Sequence, residues 1–199
     1  MPLDPKFTKF STVSPRLVSY NFIDTITGVA YGVFYAGNAS GTNTLISSPT
    51  ASSWQGITQA GSPTTGDALT LRGTFEFETT FSTSQTIEGD AIAEFSLGLY
   101  YVDTANDAQK KANVEIQKNG VALVNGDTIP TTENGNATDT KSDAEAVLLT
   151  IPKTHFAIGD TLKMVVKVYA AGQAPSQGVV PGIGTDPAGK NDPGAGFPD

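Results

Sequence analysis

The stretch Leu69–Tyr101 constrains the fold most. In its first half Leu69, Leu71, Phe75, Phe77 and Phe81 share one parity, and Arg72, Glu76, Glu78 and Thr80 share the other. After a polar turn, Ala91, Ala93, Phe95, Leu97, Leu99 and Tyr101 again fall on one parity. Side chains of a strand alternate faces with period two, so each half reads as a strand with one buried face. Two long neighbouring strands of this kind predict a hairpin, and a hairpin needs a second apolar layer over it. The other strands are expected to supply that layer.

Around this centre the chain divides into three parts. Residues 1–15 contain Pro2, Pro5 and Pro15 with Phe7 and Phe10, the pattern of an extended N-terminal arm with two apolar anchors. Residues 16–171 carry the strand signals: 16–23, 29–36 and 43–47 before the central pair, then 112–118, 121–124, 146–152 and 162–168 after it. Asn119-Gly120 predicts a two-residue turn, because both positions must tolerate positive φ. Residues 48–67, 103–110 and 125–144 read as polar loops, the second with room for one helical turn. Residues 172–199, rich in Gly and Pro, read as an extended tail outside the domain. Seven to nine strands with turns between them predict an all-β, two-sheet antiparallel β-sandwich of jelly-roll type, with a closed barrel as the alternative.

The length of 199 residues suits one domain with its own core. With no cysteine there are no disulfides, thiolate metal sites or cysteine nucleophiles. The net charge of -8 argues against binding a phosphate backbone, which needs Lys and Arg clusters, so no nucleic-acid partner is expected. The acids concentrate between Asp67 and Asp107, either as a solvated sheet face or as a surface for a basic partner. No run approaches the ~20 apolar residues of a membrane helix, and the start of the sequence has no apolar segment of the secretory kind. Synthesis in the cytoplasm and no membrane partner are therefore expected.

Chemistry-bearing patterns are few. The single histidine, His155, would have to serve any Ser-His-Asp arrangement, and no Gly-x-Ser-x-Gly elbow accompanies it. Zinc needs more ligands than this chain offers, and no P-loop occurs. Asp186–Asp192 carries oxygen ligands near glycine without the spacing of an EF-hand loop. Asn38-Ala-Ser40 and Asn136-Ala-Thr138 match the glycosylation pattern, which has no meaning without secretion. Paired carboxylates, as in glycosidases, are the enzymatic possibility left; Glu76, Glu78 and Glu94 lie on long strands that could converge, yet their parity places them opposite the aromatic face. No catalytic residue, cofactor or metal is expected. Trp54 reads as a buried loop anchor or as a stacking platform for sugars.

Several segments together resemble structural β-sandwich proteins of tailed phages and environmental viruses. These are Ser19-Tyr-Asn-Phe-Ile-Asp24, Gly28 through Phe34-Tyr-Ala-Gly37, Ile151-Pro-Lys-Thr-His-Phe-Ala-Ile-Gly-Asp-Thr-Leu162 and Gly184-Thr-Asp-Pro-Ala-Gly-Lys-Asn-Asp192. Those proteins commonly have a His before the Asp-Pro of the tail; here it is Thr185, which removes a metal ligand. The resemblance implies a non-enzymatic virion component, a capsid decoration or head-associated subunit. Its partners would be copies of itself, a trimer being the habit of such proteins, and a major capsid or other virion protein. Arms can add backbone hydrogen bonds along a neighbour's sheet edge and place side chains in its pockets. The partner-binding residues expected on that basis are Phe7, Phe10, Trp54, Val179, Val180, Ile183 and Phe197. The alternative is a carbohydrate-binding module or host-glycan adhesin using Trp54 with an exposed Tyr100, and a hydrolase using Glu94 ranks third.

Overall fold

The computed structural model describes residues 32–39, 42–46, 58–60, 66, 68–102, 104–173 and 178–184. The chain divides into two units, Met1–Val33 and Phe34–Asp199, and every strand below belongs to the second. The described residues contain no helix; they form a two-sheet β-sandwich. The strands are β1 (Tyr35–Ala39), β2 (Thr42–Ile46), β3 (Thr58–Ala60), β4 (Thr70–Thr80), β5 (Gln85–Tyr101) and β6 (Ala105–Lys118), followed by β7 (Val121–Asp127), β8 (Thr131–Gly135), β9 (Thr140–Phe156), β10 (Thr161–Gln173) and β11 (Val179–Gly184). One sheet runs β1-β2-β4-β10-β6-β7, with β8 also on β6; the other runs β3-β11-β5-β9. All pairings are antiparallel except a short parallel contact of β2 with β4 at Thr44 and Glu78.

The two halves of Leu69–Tyr101 are both strands, but they are not a hairpin. β4 pairs with β10 and β5 with β9 and β11, so the two lie in opposite sheets. The short link after Phe81 carries the chain from one layer to the other. Each strand has a single apolar face, and setting those faces against one another buries both without waiting for a third element. Phe75, Phe77 and Phe81 thus share one core with Phe95, Leu97, Val147, Leu149 and Ile151 of the facing sheet. Phe81 also meets Phe156 edge-on, ring centroids 4.8 Å apart.

The predicted parity fails at Leu71, which is 50 % exposed. Val168 lies opposite Gly73 and Tyr169 opposite Leu71, so Arg72 has no residue across from it on β10. One extra residue in a ladder reverses the alternation beyond it, and Leu71 turns outward.

The expected loops at 103–110 and 125–144 are largely strand. β6 begins at Ala105, β7 continues to Asp127, β8 fills Thr131–Gly135, and β9 begins at Thr140. β8 is polar, and its backbone pairing with β6 needs no apolar side chains. Between β7 and β8, buried Thr128 is satisfied by Ala112: its hydroxyl accepts from the Ala112 N–H at 3.0 Å, and its own N–H donates to the Ala112 carbonyl at 2.9 Å. The expected loop 48–67 contains β3.

The tail boundary also moves. β10 runs to Gln173, and Val179–Gly184 is a strand between β3 and β5, buried along almost its whole length. The predicted tail therefore contributes a central strand of the smaller sheet. The proposed boundary at residue 16 and residues 185–199 lie outside the described residues.

Turn chemistry follows the sequence closely. Asn119 and Gly120 have φ of 49° and 78° and join Lys118 directly to Val121. The same corner is closed by Asp160, whose carboxylate accepts from Asn119 Nδ2 at 2.8 Å, Lys118 Nζ at 2.9 Å and the Ala157 N–H at 2.8 Å. These hydrogen bonds, that of Asn119 foremost, hold the Asp160 carboxyl far below the usual aspartate range. A depressed folded-state value means that the stabilisation is complete above the unfolded aspartate value of about 4 and is lost as pH falls below it. Asp160→Asn should therefore flatten the acid limb of a Tm-against-pH curve between about pH 5 and pH 2. An acid limb identical to that of the native chain would contradict this assignment.

Candidate functional site

On β6, Ala108, Lys110, Ala112, Val114 and Ile116 form one inward column. Lys110 is the charged member of that column, and its side chain is 0 % exposed. Glu133 of β8, on the same sheet, makes an ion pair with Lys110 Nζ. Asp143 of β9, on the opposite sheet, approaches Nζ from across the sandwich, with Oδ2 at 2.7 Å. Lys110 therefore ties the two sheets together.

The surroundings combine charge with burial. Hydrogen bonds from Lys110, and a further one shared with Glu133, hold the Asp143 carboxyl below its ordinary value against the effect of burial. Glu145, two residues along β9, is shifted upward, mainly by burial. Tyr101 is fully buried, and its hydroxyl has no hydrogen-bond partner among the described residues. Burial first, then the charges of Glu133 and Asp139, push that phenol well above its usual range. A Cβ on Gly135 would fall 2.6 Å from the Tyr101 ring, so glycine is what lets β8 close over it. Sequence reasoning missed this cluster because Lys110 sat at the end of a polar run read as a loop. The signal was present: counting back by twos from Ile116 reaches Lys110 in an otherwise apolar column.

Among the described residues, His155 lies apart from the acids Glu76, Glu78 and Glu94. The His155 Nε2 lies 3.2 Å from the Ser84 hydroxyl, and its Nδ1 lies 3.4 Å from the Thr86 hydroxyl. A triad needs a carboxylate on the second nitrogen to orient the base, and here that nitrogen meets another hydroxyl. Glu76 and Glu78 lie on the outer face of β4, where Lys163 pairs with both, at 2.8 and 3.3 Å. Glu94 lies on β5 of the other sheet, so the three do not converge. Lys167 pairs with Glu115 at 2.9 Å, and the two lysines with their partners roof over Val165, an outward residue that is nonetheless buried. Much of the acidity of this outer face is thus balanced by lysines of β10.

The expected partner-binding residues separate. Val179 and Ile183 are fully buried and Val180 is 8 % exposed, all within β11. Val179 and Ile183 share the inward parity of β11 and are core residues of this chain, while Val180 has the opposite parity and is buried all the same. Phe7, Phe10, Trp54 and Phe197 lie outside the described residues. Tyr100, expected exposed, is half-buried.

A surface feature that sequence reasoning did not single out lies on the smaller sheet. Ile92 of β5 and Leu148 of β9 are directly opposite each other and point outward, 64 % and 68 % exposed. Ala146 pairs with Glu94 on one side of them and Thr150 with Asp90 on the other, with Glu88 further along β5. The Thr150 hydroxyl donates to Asp90 at 2.9 Å, and Glu88 meets Lys153 at 3.7 Å. Among the described residues, no group of three or more His, Cys, Asp and Glu could hold a metal ion, and no helix could cross a membrane.

No family model matches the chain, and no curated protein does. Among solved structures, two of a CocE/NonD family hydrolase from Staphylococcus aureus align at 10 % identity with TM-scores of 0.33, over 77 % and 84 % of this chain. The chain spans about two fifths of the length of those structures, 41 % and 42 %. At that score the likeness bears on neither activity nor substrate.

Proposed function

We propose that the chain is a non-enzymatic structural component of a virion, a capsid-decoration or head-associated subunit that seats on a larger lattice. The observation that supports this reading is the outer face of the β5–β9 ladder. The sheet surface presents Ile92 against Leu148 with no strand or loop of the described residues drawn over them. Apolar side chains paired at the centre of an exposed face, fringed by polar groups, suit contact with another protein. The fringe of Glu88, Asp90 and Glu94 favours a lattice surface rimmed by Lys and Arg. A second copy meeting this face would bring the same acids together, so self-association would use another surface. The virion setting itself comes from the resemblance of the segments quoted above. The glycan reading depends on Trp54, and no described residue adds to it.

The reading is tested by peptide mass spectrometry of gradient-purified particles of the encoding virus. The protein should be present in fixed ratio to the lattice protein. Particles without it would overturn the reading. An Ile92→Glu/Leu148→Glu double variant should keep its Tm, because surface changes away from special features alter stability by only about 0.5 kcal/mol. Its binding to particles should fall about tenfold or more, the loss of roughly 1.4 kcal/mol of contact. Undiminished binding would show that this face is not the contact.

A further inference from the structure

The Lys110 cluster is more than an ion pair in its arrangement. A fully buried amine touches two carboxyl groups, one from each sheet. We propose that Lys110 and Asp143 condense to form an intramolecular amide that staples the larger sheet to the smaller one, with Glu133 carrying the proton.

The step balances without an outside reagent. The Lys110 ammonium gives one proton to Asp143, leaving a neutral amine and a neutral acid. The amine lone pair attacks Asp143 Cγ, forming the N–C bond and a tetrahedral centre. Glu133 relays the second amine proton to a hydroxyl on that centre. The C–O bond breaks, water leaves, and Glu133 ends as it began. An ammonium and a carboxylate thus become a secondary amide and one water.

Two physical features favour the reaction. Nζ lies 2.7 Å from Asp143 Oδ2, which places the reacting groups in contact. Fixed proximity of this kind corresponds to effective molarities on the order of 10⁵ M or more. Burying a full cation is costly even when it is paired, and the amide removes one positive and one negative charge together. The small apolar cluster of Leu99, Tyr101, Ala108, Ala170 and Val179 adjoins the β6 end that carries Lys110. Asp143 is 52 % exposed on its outer side, which gives the expelled water a way out.

The test is the intact mass of the purified, folded full chain, followed by proteolysis and fragment sequencing. The native chain should be lighter than its sequence mass by one water, with a branched peptide joining the segments around Lys110 and Asp143. Lys110→Arg keeps a cation in place but cannot form the amide, and Glu133→Gln removes the proton carrier. Both should fold, as read by circular dichroism, and both should show their full sequence masses. A native chain at full mass after prolonged incubation would overturn the proposal. So would a water loss that maps to an unbranched peptide, such as a cyclised aspartate.

Discussion

Lys110→Ala is expected to cost about 3–5 kcal/mol of folding stability, because it strips a buried pair of its cation. The native amine holds Glu133 and Asp143 together across the sandwich. Without it, the Glu133 and Asp143 carboxyls face each other beside Glu145, whose own carboxyl burial already shifts upward. Like charges at that distance raise carboxyl pKa values above their unfolded values. A raised folded value means that protonation favours the folded state, so the variant should gain stability as pH falls from about 7 to about 5. Urea titrations at the two pH values measure both effects. A loss below about 1 kcal/mol at neutral pH, as at an exposed ion pair, would show that the cluster does not hold the sheets together. Alanine can form neither an ionic link nor an amide, so a loss is expected in both cases; about 3–5 kcal/mol is the loss for the ionic link.

Phe77→Ala should be comparably damaging, at about 3–5 kcal/mol. Phe77 is 0 % exposed and belongs to the core cluster that spans both sheets. It lies opposite Met164 in the β4–β10 ladder, in the middle of the larger sheet. The cost has two parts, the lost transfer of the ring from water and the cavity that a close-packed interior cannot fully close. The informative control is Leu71→Ala on the same strand. Leu71 has the parity of Phe77 in the sequence, but the extra residue at Arg72 turns it outward, so its loss should change stability by only about 0.5 kcal/mol. Equal losses at the two positions in guanidinium denaturation would contradict the register described here.

The sheet class was legible because period-two alternation survives in β4, β5, β9 and β10, where one face is wet and the other dry. Which strands pair was not legible from that alternation. A strand with one apolar face can satisfy it beside its neighbour or opposite it, and the link after Phe81 permits both. The polar strand β8 was invisible because its backbone ladder and the Glu133–Lys110 ion pair hold it to β6, with no apolar alternation to mark it. β11 was hidden by composition: Pro181 and two glycines in six residues argue against a central strand. The structure resolves this conflict locally. β3 pairs only with Gly182, Ile183 and Gly184, so the missing N–H of Pro181 leaves no described partner wanting on that side.

The candidate surface was less legible than the fold. Ile92 and Leu148 lie 56 positions apart, and neither stands out in a segment rich in apolar residues; only the β5–β9 register brings them together. Lys110 was the reverse case. Its parity could be read, but the charged residues around it suggested solvent.

The most direct test of the assembly reading is side-chain carbene footprinting of the protein free and bound to particles. Backbone exchange would be a poor substitute, because the sheet amides of β5 and β9 are already protected by their ladder. Ile92 and Leu148 should label strongly in the free protein and fall to background on the particle, while exposed Val121 and Ile158 stay unchanged. Equal labelling of Ile92 and Leu148 in both states would contradict docking through this face.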